Sequence, residues 1–406
     1  MCKNILFVTP YIFSQRHPHF LRNQTGFGYM VHDIAECVGK LNNVDLYAAM
    51  CFAPSIEMEN FHIIGRSWWK TITSISFKSI ADGFSFLRRY KLPISEQLRT
   101  MYIFIATGQI ARMVKNYDMV HVHGCSALTD AVIKVCKRKN VPFLVTLHGL
   151  NSFSEGIKLH PSLKQYERDF IKEAAEKHYP VSFISTGNKN MAIESAGTVI
   201  DSFHVVCNGC DTTCSQADEN IRSLYNIQSD DFVFVFVGNI SQNKNQYQVA
   251  RAWKLLPEEK KQKCKVLFVG RYQADDDVVK FIQKEHLEKQ LILCGMQPKD
   301  KIHTFYYAAD ATILTSITEG FGLSIIEGFV YGKPNVTFAD LPAVQDLFDA
   351  NAMVLAEARS DEVLAQAMVK VMEMQIDEKE ILKYAQKFSF ARMAENYHEL
   401  YQKVVK

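Results

Sequence analysis

Short apolar runs that alternate with helix-period stretches, twice over, constrain this chain more than any other feature. In the first half the runs read as strands at Ile5–Thr9, Val44–Ala48, Met119–Val122, Phe143–Leu147, Ser182–Ile184 and His204–Cys207. In the second half they fall at Val233–Val237, Val266–Val269, Leu291–Leu293, Ala311–Leu314, Asn335–Thr337 and Met353–Leu355. Such continuous short runs suit strands covered on both faces. Helical pattern lies between them, as at Tyr29–Leu41, Leu98–Lys115, Gln246–Leu256 and Val278–His286. Strands separated by helices predict parallel sheets with crossover helices. Two such sets, in a chain of 406 residues, predict two Rossmann-like α/β domains. The seam reads in the weakly patterned Cys210–Asp230 stretch. After Leu355 only helical pattern remains, ending in Phe390–Val405. Ligands of open parallel sheets lie beyond the carboxyl ends of the strands, so two facing domains would form one cleft.

Composition narrows the class. The chain is 48% hydrophobic and 22% charged, as soluble globular proteins are. No apolar run reaches the roughly 18 residues of a membrane span. Ile5–Val8 is too short for a signal-peptide core, so a cytoplasmic protein is expected. Ten cysteines are scattered, and in that compartment they are expected as thiols. Cys207, Cys210 and Cys214 have a zinc-like start, but no second pair follows at ribbon spacing, so no metal site is expected. Residues 1–200 hold 23 basic and 15 acidic residues, a net +8, and the remainder is −6. A basic and an acidic half suggest different partners.

The run Thr318-Glu319-Gly320-Phe321-Gly322-Leu323-Ser324-Ile325-Ile326-Glu327-Gly328 carries the most chemistry. It follows a buried strand and leads into apolar residues at helical spacing. A strand, glycine turn and helix start direct free backbone N–H groups and the positive helix end at an anion, typically phosphate. A carboxylate beside a phosphate cradle makes sense if it holds hydroxyls. Phosphate with sugar hydroxyls suggests a nucleotide sugar. The competing reading is a plain strand–loop–helix join with two solvated glutamates.

Four further stretches set glycine at or after the end of a strand. Val237-Gly238-Asn239-Ile240-Ser241-Gln242-Asn243-Lys244 follows the first strand of the second half, with Lys244 able to hold phosphate as a point charge. Gly26-Phe27-Gly28 follows the first strand of the chain, but Val31 breaks the dinucleotide glycine spacing. Val120-His121-Val122-His123-Gly124 and Thr146-Leu147-His148-Gly149 end strands with histidine and glycine. His148 is a candidate for a substrate hydroxyl; His121 and His123 read as structural.

Together these pieces resemble the retaining glycosyltransferases of family 4, which have the GT-B fold. Val206-Cys207-Asn208-Gly209-Cys210-Asp211, Tyr307-Ala308-Ala309-Asp310 and Tyr331-Gly332-Lys333-Pro334 add to the likeness. The resemblance implies an acceptor-side domain at 1–210, a donor domain at 211–388, and a helix at 389–406 crossing back to the first domain. It implies Lys244 on the donor diphosphate, Glu319 on donor-sugar hydroxyls, Glu327 on the ribose and His148 near the donor sugar. Gly28, Gly238, Asn239 and the backbone of Phe321, Gly322 and Leu323 would complete the donor site. Two departures stand out: Asn239 replaces a usual arginine, which Arg271 would have to compensate, and Cys210 replaces an aliphatic residue.

The implied reaction is retaining, metal-independent hexosyl transfer in polysaccharide biosynthesis. The donor is a nucleotide sugar, UDP-linked first and GDP-linked next, with no other cofactor. The acceptor is a glycan or lipid-linked glycan, and no nucleic acid is involved. The residue range 61–91 carries six basic residues against Asp82, interleaved with aromatics, which suits an anionic inner membrane face. The alternatives are a sugar-nucleotide epimerase of the same fold or a non-catalytic nucleotide- or glycan-binding protein.

Overall fold

The computed structural model describes residues 2–15, 17–21, 25–153, 159–198, 200–214 and 219–405. The chain divides into two compact units, residues 1–208 with 390–406, and residues 209–389. Part of the stretch read as a seam, 215–218, lies outside the described residues.

The first unit is built on one sheet. Its strands are β1 (Asn4–Thr9), β2 (Asn43–Ala48), β3 (Ile56–Glu57), β4 (His62–Ile63), β5 (Met119–His123), β6 (Phe143–Leu147), β7 (Val181–Phe183) and β8 (Phe203–Val205). Their order is β3-β4-β2-β1-β5-β6-β7-β8, and only the β3–β4 pair is antiparallel. Ile5, Leu6, Phe7 and Val8 are all fully buried, because helices cover both faces of β1. From β1 the chain builds outward through β2 and β4 on one side, then returns to lay β5 on the other side of β1, so the strand order reverses between β1 and β5.

The last helix, Phe390–Val404, belongs to this unit, as the expected return of the C-terminus requires. Tyr397 and Tyr401 on it are fully buried. The Tyr401 hydroxyl lies 2.9 Å from His121 Nδ1 on β5, and His398 Nδ1 lies 3.1 Å from Asn42 Oδ1.

The second unit has a wholly parallel sheet. Its strands are β9 (Phe232–Val237), β10 (Cys264–Val269), β11 (Leu291–Gly295), β12 (Ala311–Leu314), β13 (Asn335–Phe338) and β14 (Met353–Ala356). The order β11-β10-β9-β12-β13-β14 puts the reversal between β9 and β12. Loops leaving two strands at such a reversal point to opposite sides, which opens a crevice at their carboxyl ends. The Gly238–Lys244 and Thr318–Gly322 loops leave those two strands. Among the described residues no helix is long and apolar enough to cross a membrane.

Candidate functional site

In the second unit two loops are stitched into one platform. The Asn243 side chain accepts from Thr318 N–H at 3.2 Å and Thr318 Oγ1 at 2.8 Å, and donates to Thr318 O at 3.0 Å. Ile317 N–H donates to Asn243 O at 2.7 Å. Thr315 Oγ1 lies 3.1 Å from Lys244 O and 3.0 Å from Asn245 O. Asn243 has no special mark in the sequence, since a polar loop residue gives no periodic signal.

This platform brings Lys244 and Glu319 together. Lys244 Nζ lies 2.5 Å from Glu319 Oε2, and Ser316 Oγ donates to the same oxygen at 3.3 Å. The two side chains are 27% and 18% exposed. An ion pair this accessible is worth about 1 kcal/mol or less to the fold. Its significance is positional: a cation and a carboxylate share one spot beside the start of a helix.

That helix is Leu323–Val330, entered through Gly322 at φ 86°. A left-handed residue at this point favours glycine and turns the chain so that the first amides of the helix are presented. The Phe321 side chain is buried, with its ring centroid 6.1 Å from that of Phe388, so its backbone is what it offers a ligand. Glu327 stands in the second turn, where its Oε2 accepts from the Tyr306 hydroxyl at 2.7 Å. Tyr306 stacks on Tyr331 at 6.0 Å with 12° between the rings. Burial first, and Glu327 second, push the Tyr306 hydroxyl well above its ordinary value, so it remains a donor.

The neighbouring strand ends are closed tightly. A Cβ on Gly270 would lie 2.3 Å from Gly238 O, so only glycine lets the ends of β9 and β10 approach this closely. Asn239 Oδ1 accepts from Arg271 N–H at 2.9 Å, and Ile240 N–H donates to Arg271 O at 2.9 Å. Gln246 Nε2 donates to Gly238 O and Asn239 O, each at 3.2 Å. The Asn239 side chain thus joins two strand ends. The Arg271 guanidinium extends to Met296 Sδ at 3.5 Å. Cys210 is buried, and burial pushes its thiol up.

The first unit holds His148 and Gly28. Phe27 packs edge-on to His148 at 5.0 Å, which sets the Gly26–Gly39 helix against the end of β6. Gly28 N–H is taken by the Thr25 cap at 3.2 Å, and Gly28 O accepts from Phe13 N–H at 3.3 Å. Gly28 therefore contributes room rather than a backbone donor. His148 Nε2 lies 3.1 Å from His123 Nδ1, and His121 Nε2 lies 2.7 Å from Thr146 Oγ1. Burial lowers His148 to about 4 and takes His121 and His123 well below the ordinary histidine value. All three rings are neutral at pH 7.

Glu167, unmarked in the sequence, lies behind the loop that follows His148. Its Oε2 accepts from Ser152 N–H at 3.3 Å, while Oε1 is buried with no hydrogen-bond partner among the described residues. Burial pushes it up to about 7. A raised carboxyl gives stability that is full below its unfolded value near 4.5 and lost as pH rises through 7. That loss reaches about 3 kcal/mol. Glu167→Gln is expected to raise the melting temperature by several degrees at pH 8 and to change it little at pH 5. Scanning calorimetry at both pH values checks this.

The family 4 glycosyltransferase model matches residues 29–213, and the model for glycosyl transferases group 1 matches residues 217–388. The chain belongs to the family 4 glycosyltransferases. A Bacillus subtilis protein described as a teichuronic acid biosynthesis glycosyltransferase, TuaC, is 24% identical over 298 residues, 71% of each chain. The O-antigen chain mannosyltransferase B of Escherichia coli is 28% identical over 103 residues, 25% of this chain and 27% of that one. Among solved structures, Anabaena HepE in complex with UDP and glucose matches 99% of this chain and 100% of its own, with a TM-score of 0.66 at 17% identity. The sucrose-phosphate synthase of Thermosynechococcus elongatus matches 98% of each chain, with a TM-score of 0.73 at 15% identity. This family 4 glycosyltransferase has the GT-B fold that the sequence likeness implies.

Proposed function

We propose that the protein transfers a sugar from a UDP-sugar, or next a GDP-sugar, with retention of configuration, to a glycan or lipid-linked glycan acceptor. The observation that carries this reading is the Lys244–Glu319 pair at the β9–β12 reversal, beside the start of the Leu323–Val330 helix. An arriving diphosphate draws Lys244 from Glu319, and the released carboxylate takes hydroxyls of the transferred sugar. Glu327, aimed by Tyr306, takes the ribose hydroxyls. As the bond between the anomeric carbon and the phosphate oxygen breaks, its electron pair leaves on the phosphate. Lys244 and the amides of the helix start stabilise that charge. The acceptor oxygen bonds to the anomeric carbon on the same face, and its proton passes to the departing phosphate. That course calls on neither a metal nor a carboxylate base. His148 is neutral, so what it can offer a ligand is a hydrogen bond and not a charge.

UDP is favoured because HepE binds it on the same fold. A polysaccharide acceptor agrees with the names of TuaC and the O-antigen mannosyltransferase; its meeting the chain at the cytoplasmic face of an anionic membrane rests on the basic and aromatic residues of 61–91. Melting and calorimetric titration with UDP, GDP, ADP and CDP test the donor. UDP at a hundred times its Kd is expected to stabilise the protein by about 2.7 kcal/mol. Lys244→Ala and Glu327→Ala are expected to abolish that gain. Stabilisation by none of the four nucleotides overturns the reading.

Tyr306 acts through Glu327, so its removal has a separate signature. Tyr306→Phe is expected to weaken UDP about tenfold, the worth of a hydrogen bond to a charged group. Inorganic pyrophosphate, which has no ribose, is expected to bind the variant as it binds the parent. Calorimetry with both ligands checks the split.

A further inference from the structure

The range 61–91 divides in the structure. Arg66, Phe61, Phe86 and Tyr90 are buried, and the Arg66 guanidinium is spent on Thr71 and Tyr102. These residues are unavailable to any partner. The others stand outward on three helices, Trp68–Thr73, Phe77–Arg89 and Ile94–Met113, of which the first two each pack on the third. Trp69 is 76% exposed, Phe77 92%, Ile94 77% and Leu98 70%, with Trp68 and Phe84 also exposed. On Phe77–Arg89 the buried face is Ser79, Gly83 and Phe86, and Phe77, Phe84 and Arg88 follow the opposite face at helical spacing. A soluble protein rarely shows this much contiguous apolar surface without a use for it.

The charge around it has one sign. Lys70, Lys78, Arg88 and Lys91 are exposed and make no ion pair among the described residues. The acids nearby are already taken: Asp82 pairs with Arg138 at 2.6 Å, and Asp169 with Arg89 at 3.0 Å. Glu96 lies 3.9 Å from Arg99. A second copy of the chain on this surface would set like charges against each other. The apolar side chains project from three helices and do not line one groove, as a peptide would need. An anionic lipid surface answers both features, since its headgroups meet the lysines and arginines and its acyl boundary receives the Trp, Phe, Ile and Leu side chains. Tryptophan suits that boundary because its ring is apolar and its N–H is not.

We infer that the exposed faces of these three helices form a monotopic membrane-docking surface, in which Trp69, Phe77, Ile94 and Leu98 enter the acyl boundary of an anionic leaflet and Lys78, Arg88 and Lys91 hold its phosphates. This rests on, and sharpens, the reading of a lipid-linked acceptor, and it extends the surface beyond 61–91 to Ile94 and Leu98.

Tryptophan placement makes the test direct. The chain has three tryptophans. Two are on the surface, and Trp253 is buried with its indole N–H on Cys264 O at 3.2 Å. The full chain is mixed with vesicles of phosphatidylcholine alone, or of phosphatidylcholine and phosphatidylglycerol in equal parts. Flotation, emission and quenching by lipids with brominated acyl chains are measured, with UDP stabilisation followed on the same samples. Expected are flotation only with the anionic vesicles, a blue shift, and quenching. Lys78→Ala with Arg88→Ala is expected to weaken binding about 25-fold, roughly fivefold for each charge. Trp68→Ser with Trp69→Ser is expected to lose the shift and most of the binding while UDP stabilisation persists. Absence of flotation with UDP binding intact overturns this inference and leaves the donor reading standing. Flotation without acyl-chain quenching, or concentration-dependent dimers that shield the tryptophans, also overturns it. Loss of UDP stabilisation alone sinks the donor reading instead.

Discussion

Lys244→Ala is expected to lower kcat/KM about a thousandfold. Removing one preorganised donor from a site of developing negative charge costs on the order of 3 kcal/mol or more in the transition state. Here the loss is compounded, because Glu319 lies 2.5 Å from the ammonium and stays behind. A carboxylate without its cation then repels the diphosphate that has to seat beside it. Lys244→Arg separates charge from shape. It keeps the charge but replaces a compact ammonium with a planar fork, and it is expected to recover part of the activity. Glu319→Gln leaves the cation in place, removes the charge and exchanges one of the two acceptor oxygens for an amide donor, which weakens the hold on sugar hydroxyls. It is expected to raise KM for the nucleotide sugar more than it raises Kd for free UDP. Initial rates with a radiolabelled UDP-sugar, set beside UDP affinity, check all three. If Lys244→Ala keeps the parent's kcat/KM, the pair is a surface ion bridge and the donor phosphates lie elsewhere.

The strands were legible because each is buried on both faces and so carries an unbroken apolar run. Phe143–Leu147 and Ala311–Leu314 match the reading to the residue, and the other strands read match within two at each end. The β3 and β4 pair was not legible, since two residues are too few for a period. The Phe77–Arg89 helix was missed for a different reason: it carries apolar residues on its outer face as well as its inner one, which blurs the stripe. The same trait made the segment look basic and aromatic without showing which residues were outside. In the site, the glycine turns and the two glutamates were legible because their chemistry is local. The Lys244–Glu319 contact joins residues 75 positions apart and exists only because β9 and β12 are neighbours. Glu167 and Tyr306 acquire their properties from burial, which no short stretch of sequence displays.

The first unit is expected to lose stability steeply as pH falls from 6.5 toward 4. His148 titrates at about 4 in the fold and near 6.5 when unfolded, so between those values the unfolded chain holds a proton that the native ring does not. A group depressed in this way gives stability that is full above its unfolded value and lost as pH falls through the folded one. For His148 alone the loss is about 3 kcal/mol. His121 and His123 are also lowered well below the ordinary histidine value, with burial the first cause in each, and act in the same direction. Glu167 opposes them, because it prefers its proton in the fold up to about 7. Three groups against one leave the histidines dominant. The network also explains why the charge cannot be taken up locally. His121 is held between Tyr401 and Thr146, and His123 Nε2 is buried with no partner among the described residues. An added proton there meets no carboxylate among the described residues. Urea unfolding at pH 7.5, 6 and 5 is expected to show a midpoint that falls at each step, and Glu167→Gln is expected to make the fall steeper. His148→Asn, which cannot titrate, is expected to flatten it. A midpoint unchanged between pH 7.5 and 5 would mean that the three rings are hydrated in solution and that the stack does not hold them neutral.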